Sequence, residues 1–411
     1  VANRVVITGF GAVTPLGLNV EDTWRNLIDG VSGVDYITLF DTTDYKVRIG
    51  AEVKDFNPID YLDPGTARHT DRFAQFALAA SMQAIESAGL KVDEDNRYDI
   101  GILVGSGVGG LDSLTQQFQN LSTRGPSRVS PYVVPMMIAD AASAQVSIKT
   151  GIRGPNLSLI SACATGTDVI GIAYKMVKWG EVKAMVAGGA DAAVTPMGLA
   201  GFAQAGALSR ISEPKKASRP FDLERDGFVV GEGGAALILE SLDYARARGA
   251  SILAEVVGYG ATSDAHHVTA PLENGEAAAR AIEIALAGID MVEVGYINAH
   301  GTSTPLNDAS ETKAIKKAFG DKAYKIPVSS IKSMLGHMMG AAGTIEAITC
   351  CQVINNGVIP PTINLEHADP ECDLDYVPNT ARNADVRLAI SNSFGFGGHN
   401  SVIAIGRYNG Q

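Results

Sequence analysis

The chain has few cysteines, no long apolar run and a deficit of positive charge. Its four cysteines (Cys163, Cys350, Cys351, Cys372) show no CxxC spacing, are too few for a disulfide framework and build no closed zinc motif. No apolar stretch approaches 18 residues, which argues against a membrane span. The chain opens directly on strand-like Val5-Val6-Ile7-Thr8, which argues against a signal peptide. Lys and Arg number 33 against 45 Asp and Glu, a net charge of −12, so the global field that holds nucleic acid is missing. An acidic partner would have to be met by a local basic patch. What is present is 46% hydrophobic residues over 411 positions, enough for a substantial core and too much for a disordered chain. The expectation is a cytoplasmic α/β protein of two or three domains, or of two large halves sharing an interface.

Forty-five glycines exceed the usual ~7% and cluster at the ends of short apolar runs. Runs such as Val5–Thr8, Ile100–Val104, Leu157–Ser161, Val182–Val186, Ala235–Leu239, Ile252–Val257, Val294–Asn298 and Val328–Ile331 read as buried strands. Stretches 71–88, 166–177 and 344–353 carry helical apolar spacing, and the alternation predicts helices packed on the faces of a sheet. One echo points to duplication: VVITGFGAVT at 5–14 matches EVVGYGATS at 255–263, aligning Gly9 and Gly11 with Gly258 and Gly260. A weaker echo runs in each half from a strand to a reactive-looking residue at a helix start, at 157–166 and 327–343. The boundary falls near the charged turn Arg246–Gly249, dividing the chain into 1–250, with Cys163, and 251–411, with His300 and His337.

Gly105-Ser106-Gly107-Val108-Gly109-Gly110 fits GxGxxG after a strand, but the acidic residue a dinucleotide site wants about 20 positions on is missing. The glycines read instead as close backbone packing. The strongest chemical candidate is Cys163 in SACATGT, at the end of a predicted buried strand and the start of a predicted helix. A helix N-terminus favours a thiolate by ~0.3–1 and at most ~2 kcal/mol, lowering a reference pKa of ~8.5 by about one unit. Cys350 and Cys351 sit inside an apolar helical pattern and read as core. His300 stands where a strand meets GTSTP, and His337 lies in KSMLGHMMGAAG. His267 and His399 are held in reserve, and His266-His267 has no partners for a metal site. Lys332 and Glu346 flank His337 in sequence and would pair, since an apolar setting demands a partner for either charge. The loop NSFGFGGHN at 392–400 offers backbone N–H groups to an oxyanion and an aromatic gate, Phe396.

Taken in order and at these separations, ACATG, NAHGTSTP, KSMLGHMMGAAG and NSFGFGG resemble the β-ketoacyl-[acyl-carrier-protein] synthases, in the pattern of the synthase II type, over essentially the whole chain. The resemblance implies a thiolase-like fold of two duplicated halves in stacked αβαβα layers, and a homodimer. It implies Cys163 as nucleophile, His300 and His337 in malonyl decarboxylation, Lys332 and Glu346 in electrostatic support, and an oxyanion hole from the amides of Cys163 and Phe396. Thr302, Thr304 and Thr269 would hold the pantetheine arm. Phe396 would gate the pocket, and Val108, Val133, Val134 and Phe202 would line an acyl tunnel. No cofactor is required; the substrate brings its own phosphopantetheine on a carrier protein. No metal is expected beyond a monovalent cation near Asn298, Glu346, Ser391 and Asn392. Arg68, Arg72, Arg124 and Arg128 are docking candidates for the acidic carrier, and Gly206 stands where the family often has a basic residue. The alternatives are a synthase I, a polyketide ketosynthase, a non-catalytic partner subunit and a cysteine hydrolase.

Overall fold

The computed structural model describes residues 2–410. Ten strands join into one hydrogen-bonded sheet: β1 (Val5–Val13), β2 (Ile100–Gly105), β3 (Asn156–Leu157), β4 (Ala184–Ala192), β5 (Glu232–Ser241), β6 (Ala254–Ser263), β7 (Val294–Asn298), β8 (Val328–Ser329), β9 (Leu388–Gly395) and β10 (His399–Gly406). Their order is β8-β7-β9-β10-β6-β1-β5-β4-β2-β3. It reads the same from both ends: each half has two parallel pairs at the rim and two antiparallel pairs toward the centre. The halves meet where Val5, Val6 and Ile7 pair antiparallel with Val256, Glu255 and Ala254.

Five helices make the layers: α1 (Arg72–Ser87), α2 (Thr165–Lys178), α3 (Glu276–Ala285), α4 (Pro305–Phe319) and α5 (Ala342–Asn356). Successive strand residues point to opposite faces, and neighbours accordingly fall in different cores. Ile102 and Ile238 pack outward with Phe73 and Phe76 of α1. Leu103 and Leu237 pack inward with Val169 of α2 and Ile345 of α5. In the second half Ile390 and Val402 face outward to Ile282 of α3 and Ile315 of α4, while Ala389 and Ile403 face inward. The result is helix, sheet, paired central helices, sheet, helix. Strands buried on both faces explain why β1, β4 and β5 show no polar alternation.

The duplicated glycines have a steric cause. A Cβ on Gly9 or Gly11 would lie 2.4 or 1.9 Å from the carbonyl oxygens of Ala84 and Ala80 in α1. A Cβ on Gly258 or Gly260 would lie 1.8 or 2.1 Å from those of Ala285 and Ala281 in α3. In each half a glycine pair two residues apart in a strand meets two alanines four apart in a helix, so the helix backbone rests directly on the sheet.

Both central helices begin from the same turn. Ala162–Ala164 forms a 3₁₀ turn leading into α2, and Met339–Ala341 forms one leading into α5. Each opens on a non-glycine residue in left-handed conformation, Ala162 at φ +51° and Met339 at φ +49°, backbone that costs energy and persists where surrounding packing enforces it. Cys163 therefore corresponds to Gly340. This corrects the sequence expectation for the second echo: His337 is not at the helix start. The predicted buried strand at 157–161 is also corrected, since β3 is only Asn156–Leu157, and Leu157 and Ile160 are 48% and 60% exposed.

Candidate active site

Cys163, His300, His337, Phe396, Phe202, Thr269, Thr302 and Thr304 line one cavity of about 390 Å³. Eight residues from widely separated parts of the sequence thus converge. Lys332 and Glu346 lie behind it as a buried ion pair (Lys332 Nζ to Glu346 Oε1), 3% and 1% exposed. Neither lines the cavity; Lys332 stands against His300 and Glu346 against Lys332, in keeping with the expected electrostatic support of the histidine. Val108 is absent from the cavity lining and packs with Cys163 and Phe202 in the apolar cluster beside it. Val133 and Val134 belong to a separate short helix, Val134 being 55% exposed, and do not join the cavity.

The tautomers of both histidines follow from their neighbours. Lys332 Nζ stands 3.5 Å from His300 Nδ1, and an ammonium can only donate. The Met339 N–H donates to His337 Nδ1 over 3.2 Å. Each ring therefore carries its proton on Nε2. The Nε2 of His337 is buried with no hydrogen-bond partner, a donor left for something in the cavity. Burial, with the Lys332 charge adding to it, holds both imidazoles well below the ordinary histidine range, so both are neutral. Their rings lie edge to face at 5.5 Å, steadied by Phe394 against His300 and Phe228 against His337.

Cys163 overturns the expectation of a lowered pKa. Burial pushes its thiol up to about 11, outweighing the Lys332 charge and the amides of Phe396 and Cys163 that favour the thiolate. The desolvation of a sulfur opening on an enclosed cavity exceeds a dipole effect of ~1 kcal/mol. The resting residue is a thiol under two backbone donors.

Two acids of α4 were not legible as site residues. Glu311 accepts from the N–H of His300 and of Gly301, both at 2.8 Å, and from Asn392 Nδ2 at 3.1 Å. Asp308 accepts from the N–H of Thr302 and of Phe221. Burial pushes Glu311 up to about 7. Their available signal was the helical i, i+3 spacing right after GTSTP, which sets both on the turn that carries His300. Arg72 is corrected as a docking candidate, because its guanidinium is committed to buried Glu232 at 2.7 Å and rests over Phe76. Arg68, Arg124 and Arg128 are exposed. His267 caps the turn at Thr269 and Ala270, and His399 lines the cavity mouth.

A thiol beneath paired amides, facing two neutral Nε2–H donors across a layered duplicated fold, defines a carbon–carbon condensing enzyme of the thiolase-like class. The family models support this: "Beta-ketoacyl synthase, N-terminal domain" matches residues 2–245 and "Beta-ketoacyl synthase, C-terminal domain" residues 253–366. The chain belongs to the β-ketoacyl synthase family. It is 52% identical over 408 residues to a 3-oxoacyl-[acyl-carrier-protein] synthase 2 of Synechocystis, covering 98% of each chain. It is 49% identical over 407 residues to the protein of that name from Staphylococcus aureus, again covering 98% of each. Among solved structures, a β-ketoacyl synthase from Burkholderia phymatum superposes with a TM-score of 0.92 at 35% identity, covering 99% of this chain and 100% of that one. The ishigamide ketosynthase/chain length factor superposes at 0.93 with 38% identity, each chain fully covered.

Proposed function

We propose that Cys163 takes the acyl group and that His300 and His337 serve the decarboxylation of malonyl carrier. The enzyme is an acyltransferase that condenses an acyl group with a malonyl thioester to give a 3-oxoacyl thioester and CO2 in fatty acid elongation. The carrying observation is the pair of Nε2–H donors sharing one cavity with the thiol. The Cys163 sulfur attacks the acyl thioester and expels the pantetheine thiol; the oxyanion lies on the amides of Cys163 and Phe396. Loss of CO2 from the malonyl group then leaves an enolate oxygen on the two imidazole N–H groups. The enolate carbon attacks the acyl-cysteine carbonyl, the acyl C–S bond breaks, and the 3-oxoacyl thioester leaves as the Cys163 thiolate is released and takes a proton from water. Thr302 and Thr304, with hydroxyls 2.9 Å apart at the cavity mouth, hold the pantetheine arm with Thr269. Phe396, on the loop between β9 and β10, gates the pocket. The phosphopantetheine arrives on an acyl carrier protein, docked by Arg68, Arg124 and Arg128, and no other cofactor is required.

The exposed rim strand β3, with Leu157 on it and Ile160 just after it, supports a homodimer, since an open apolar strand edge invites pairing. The two units are 1–250 and 251–411, working in the cytoplasm; no described helix is long and apolar enough to cross a membrane. The cation reading rests on four buried oxygens without hydrogen-bond partners: Asn298 Oδ1, Glu346 Oε2, Ser391 Oγ and Asn392 Oδ1. Asn298 and Ser391 are register partners on β7 and β9. Such oxygens fit a hard monovalent cation, with Glu346 Oε2 as its one carboxylate ligand.

Incubation with an acyl carrier followed by peptide mass spectrometry tests the central assignment. The adduct should appear on Cys163 alone; equal labelling of Cys350 or Cys351 would sink it. The fatty-acid reading is favoured over a polyketide one by 49–52% identity to proteins named 3-oxoacyl-[acyl-carrier-protein] synthase 2 against 38% to the ishigamide ketosynthase/chain length factor.

A further inference from the structure

The GxGxxG loop and the second-half turn share one carboxylate. Asp191, near the end of β4, is fully buried. Its Oδ1 accepts from Ser106 Oγ at 2.6 Å and the Val108 N–H at 3.0 Å; its Oδ2 accepts from the N–H of Gly107 at 2.8 Å and of Gly340 at 2.6 Å. Burial raises its pKa above the ordinary carboxylate range, and the four donors, one for each lone pair, work against that by favouring the ionised form. A buried charge so satisfied is costly to disturb.

The two segments it holds pack beside the nucleophile. Val108 and Met339 pack in the same apolar cluster as Cys163 and Phe202. Gly107 is wedged so that a Cβ there would lie 3.1 Å from Asp191, 3.4 Å from Ala162 O and 3.5 Å from Gly340 N. Ser106 Oγ also accepts from the Gly109 N–H at 2.8 Å, extending the grip along the loop.

We propose that Asp191 is a positioning residue for acyl-chain selection, fixing Val108 and Met339 around Cys163 by gathering the amides of Gly107, Val108 and Gly340 onto one carboxylate. The proposal rests on the reading above that Cys163 carries the acyl group. It also places a fixed negative charge near the thiol, and Asp191 is among the groups that raise the Cys163 pKa. The other titratable groups facing Cys163 are Lys332, His300 and His337, with Asp226, Asp264 and His399 farther along the cavity lining.

The test compares wild type, Asp191→Asn and Ser106→Ala, each checked for folding by circular dichroism. An asparagine keeps the shape but turns two lone pairs into an NH2 group facing backbone donors. Ser106→Ala removes one donor and keeps the charge. Acyl-enzyme formation is followed by intact mass with C6 and C14 acyl carriers. Asp191→Asn should change the ratio of kcat/KM for the two carriers by about fivefold, and Ser106→Ala should change it less and in the same direction. The pH midpoint of Cys163 alkylation by iodoacetamide should move down in Asp191→Asn and stay in place in Ser106→Ala. Folded variants with an unchanged ratio, or an unmoved midpoint in Asp191→Asn, overturn the proposal. If Asp191→Asn does not fold, the ratio in Ser106→Ala decides alone. If wild-type Cys163 accepts no acyl group, the functional reading fails instead, and the alkylation midpoints still judge Asp191.

Discussion

At the turn Ala162–Ala164 the amide of Cys163, joined by that of Phe396 from the β9–β10 loop, points at the Cys163 sulfur beside the cavity. In the related turn Met339–Ala341 the Gly340 amide points at the Asp191 carboxylate, 2.6 Å away. The register shows how one position makes the difference. Ile102 and Ile297 each pair with the rim strand, to Asn156 and Val328 respectively, and on the other side with Val186 and Ile390. Five residues farther along those strands stand Asp191 and Gly395. A Cβ on Gly395 would lie 3.2 Å from the Cys163 N, the place that the aspartate's side chain takes in the other half. The matching amide of the two turns thus faces a carboxylate in one half and the thiol in the other. Where the chain supplies its own anion that amide is structural, and where a glycine leaves the place open the oxyanion of the proposed acyl transfer would fit.

The largest expected effect comes from erasing that difference. Gly395→Asp should reduce acyl transfer to Cys163 by about 10³, since a fixed carboxylate would hold the amides the oxyanion needs. Gly395→Ala is the control, because any Cβ there meets the Ser161 carbonyl at 2.7 Å. Equal losses in the two variants, measured by acyl-enzyme formation, would show that crowding rather than charge closes the site, and the comparison would break.

Next is the division of labour between the halves. His300→Ala or His337→Ala should cut CO2 release from malonyl carrier by about 10²–10³ while Cys163 still acylates measurably. A variant that decarboxylates normally but cannot acylate would reverse the roles.

The pH response of the nucleophile is a third check. A thiol raised to about 11 by burial is mostly protonated at neutrality, so thiolate reactivity is lost as pH falls below that value. Iodoacetamide alkylation of Cys163 should still climb about tenfold per unit from about pH 8 to about pH 10. Levelling near pH 8 would mean that the helix start outweighs burial after all.

The smallest effect separates the third residues of the two central helices. Thr167 Oγ1 and Ser393 Oγ are hydrogen-bonded at 2.8 Å, whereas Thr344 Oγ1 is buried without a partner. Thr167→Val should cost about 1–2 kcal/mol, and Thr344→Val should be neutral or stabilising. Denaturant midpoints would decide, and equal costs would show the two helix starts to be energetically alike.

The strand cores at Ile100–Val104 and Val294–Asn298, the helices around 72–87 and 165–178, and the Gly9/Gly258 echo were legible because each rests on local pattern: apolar runs, helical spacing, glycine at fixed offsets. Cys163, His300, His337 and Phe396 were legible because their flanking residues form long, specific strings. Leu157–Ser161 misled because an apolar run at an exposed rim reads like one in a core. Arg72 misled because its partner Glu232 is 160 residues away. Asp191, Asp308 and Glu311 went unread because an acid in a strand or helix is ordinary until the amides it collects are known.

By itself, then, the sequence determined the duplication and the α/β character through periodicity and glycine placement, and its motif strings, through the resemblance they carry, pointed to the layers and to Cys163, His300 and His337 as candidates, since all of these are properties of order along the chain. Only the tertiary structure decided that Gly340 answers to Cys163, that Lys332 and Met339 set the imidazole tautomers, that burial pushes the thiol up, and that Asp191 takes the Gly340 amide while Gly395 leaves the Cys163 amide to the sulfur. Those are matters of burial and of which donor faces which acceptor, and they arise only when segments far apart in sequence are brought within a hydrogen bond of one another.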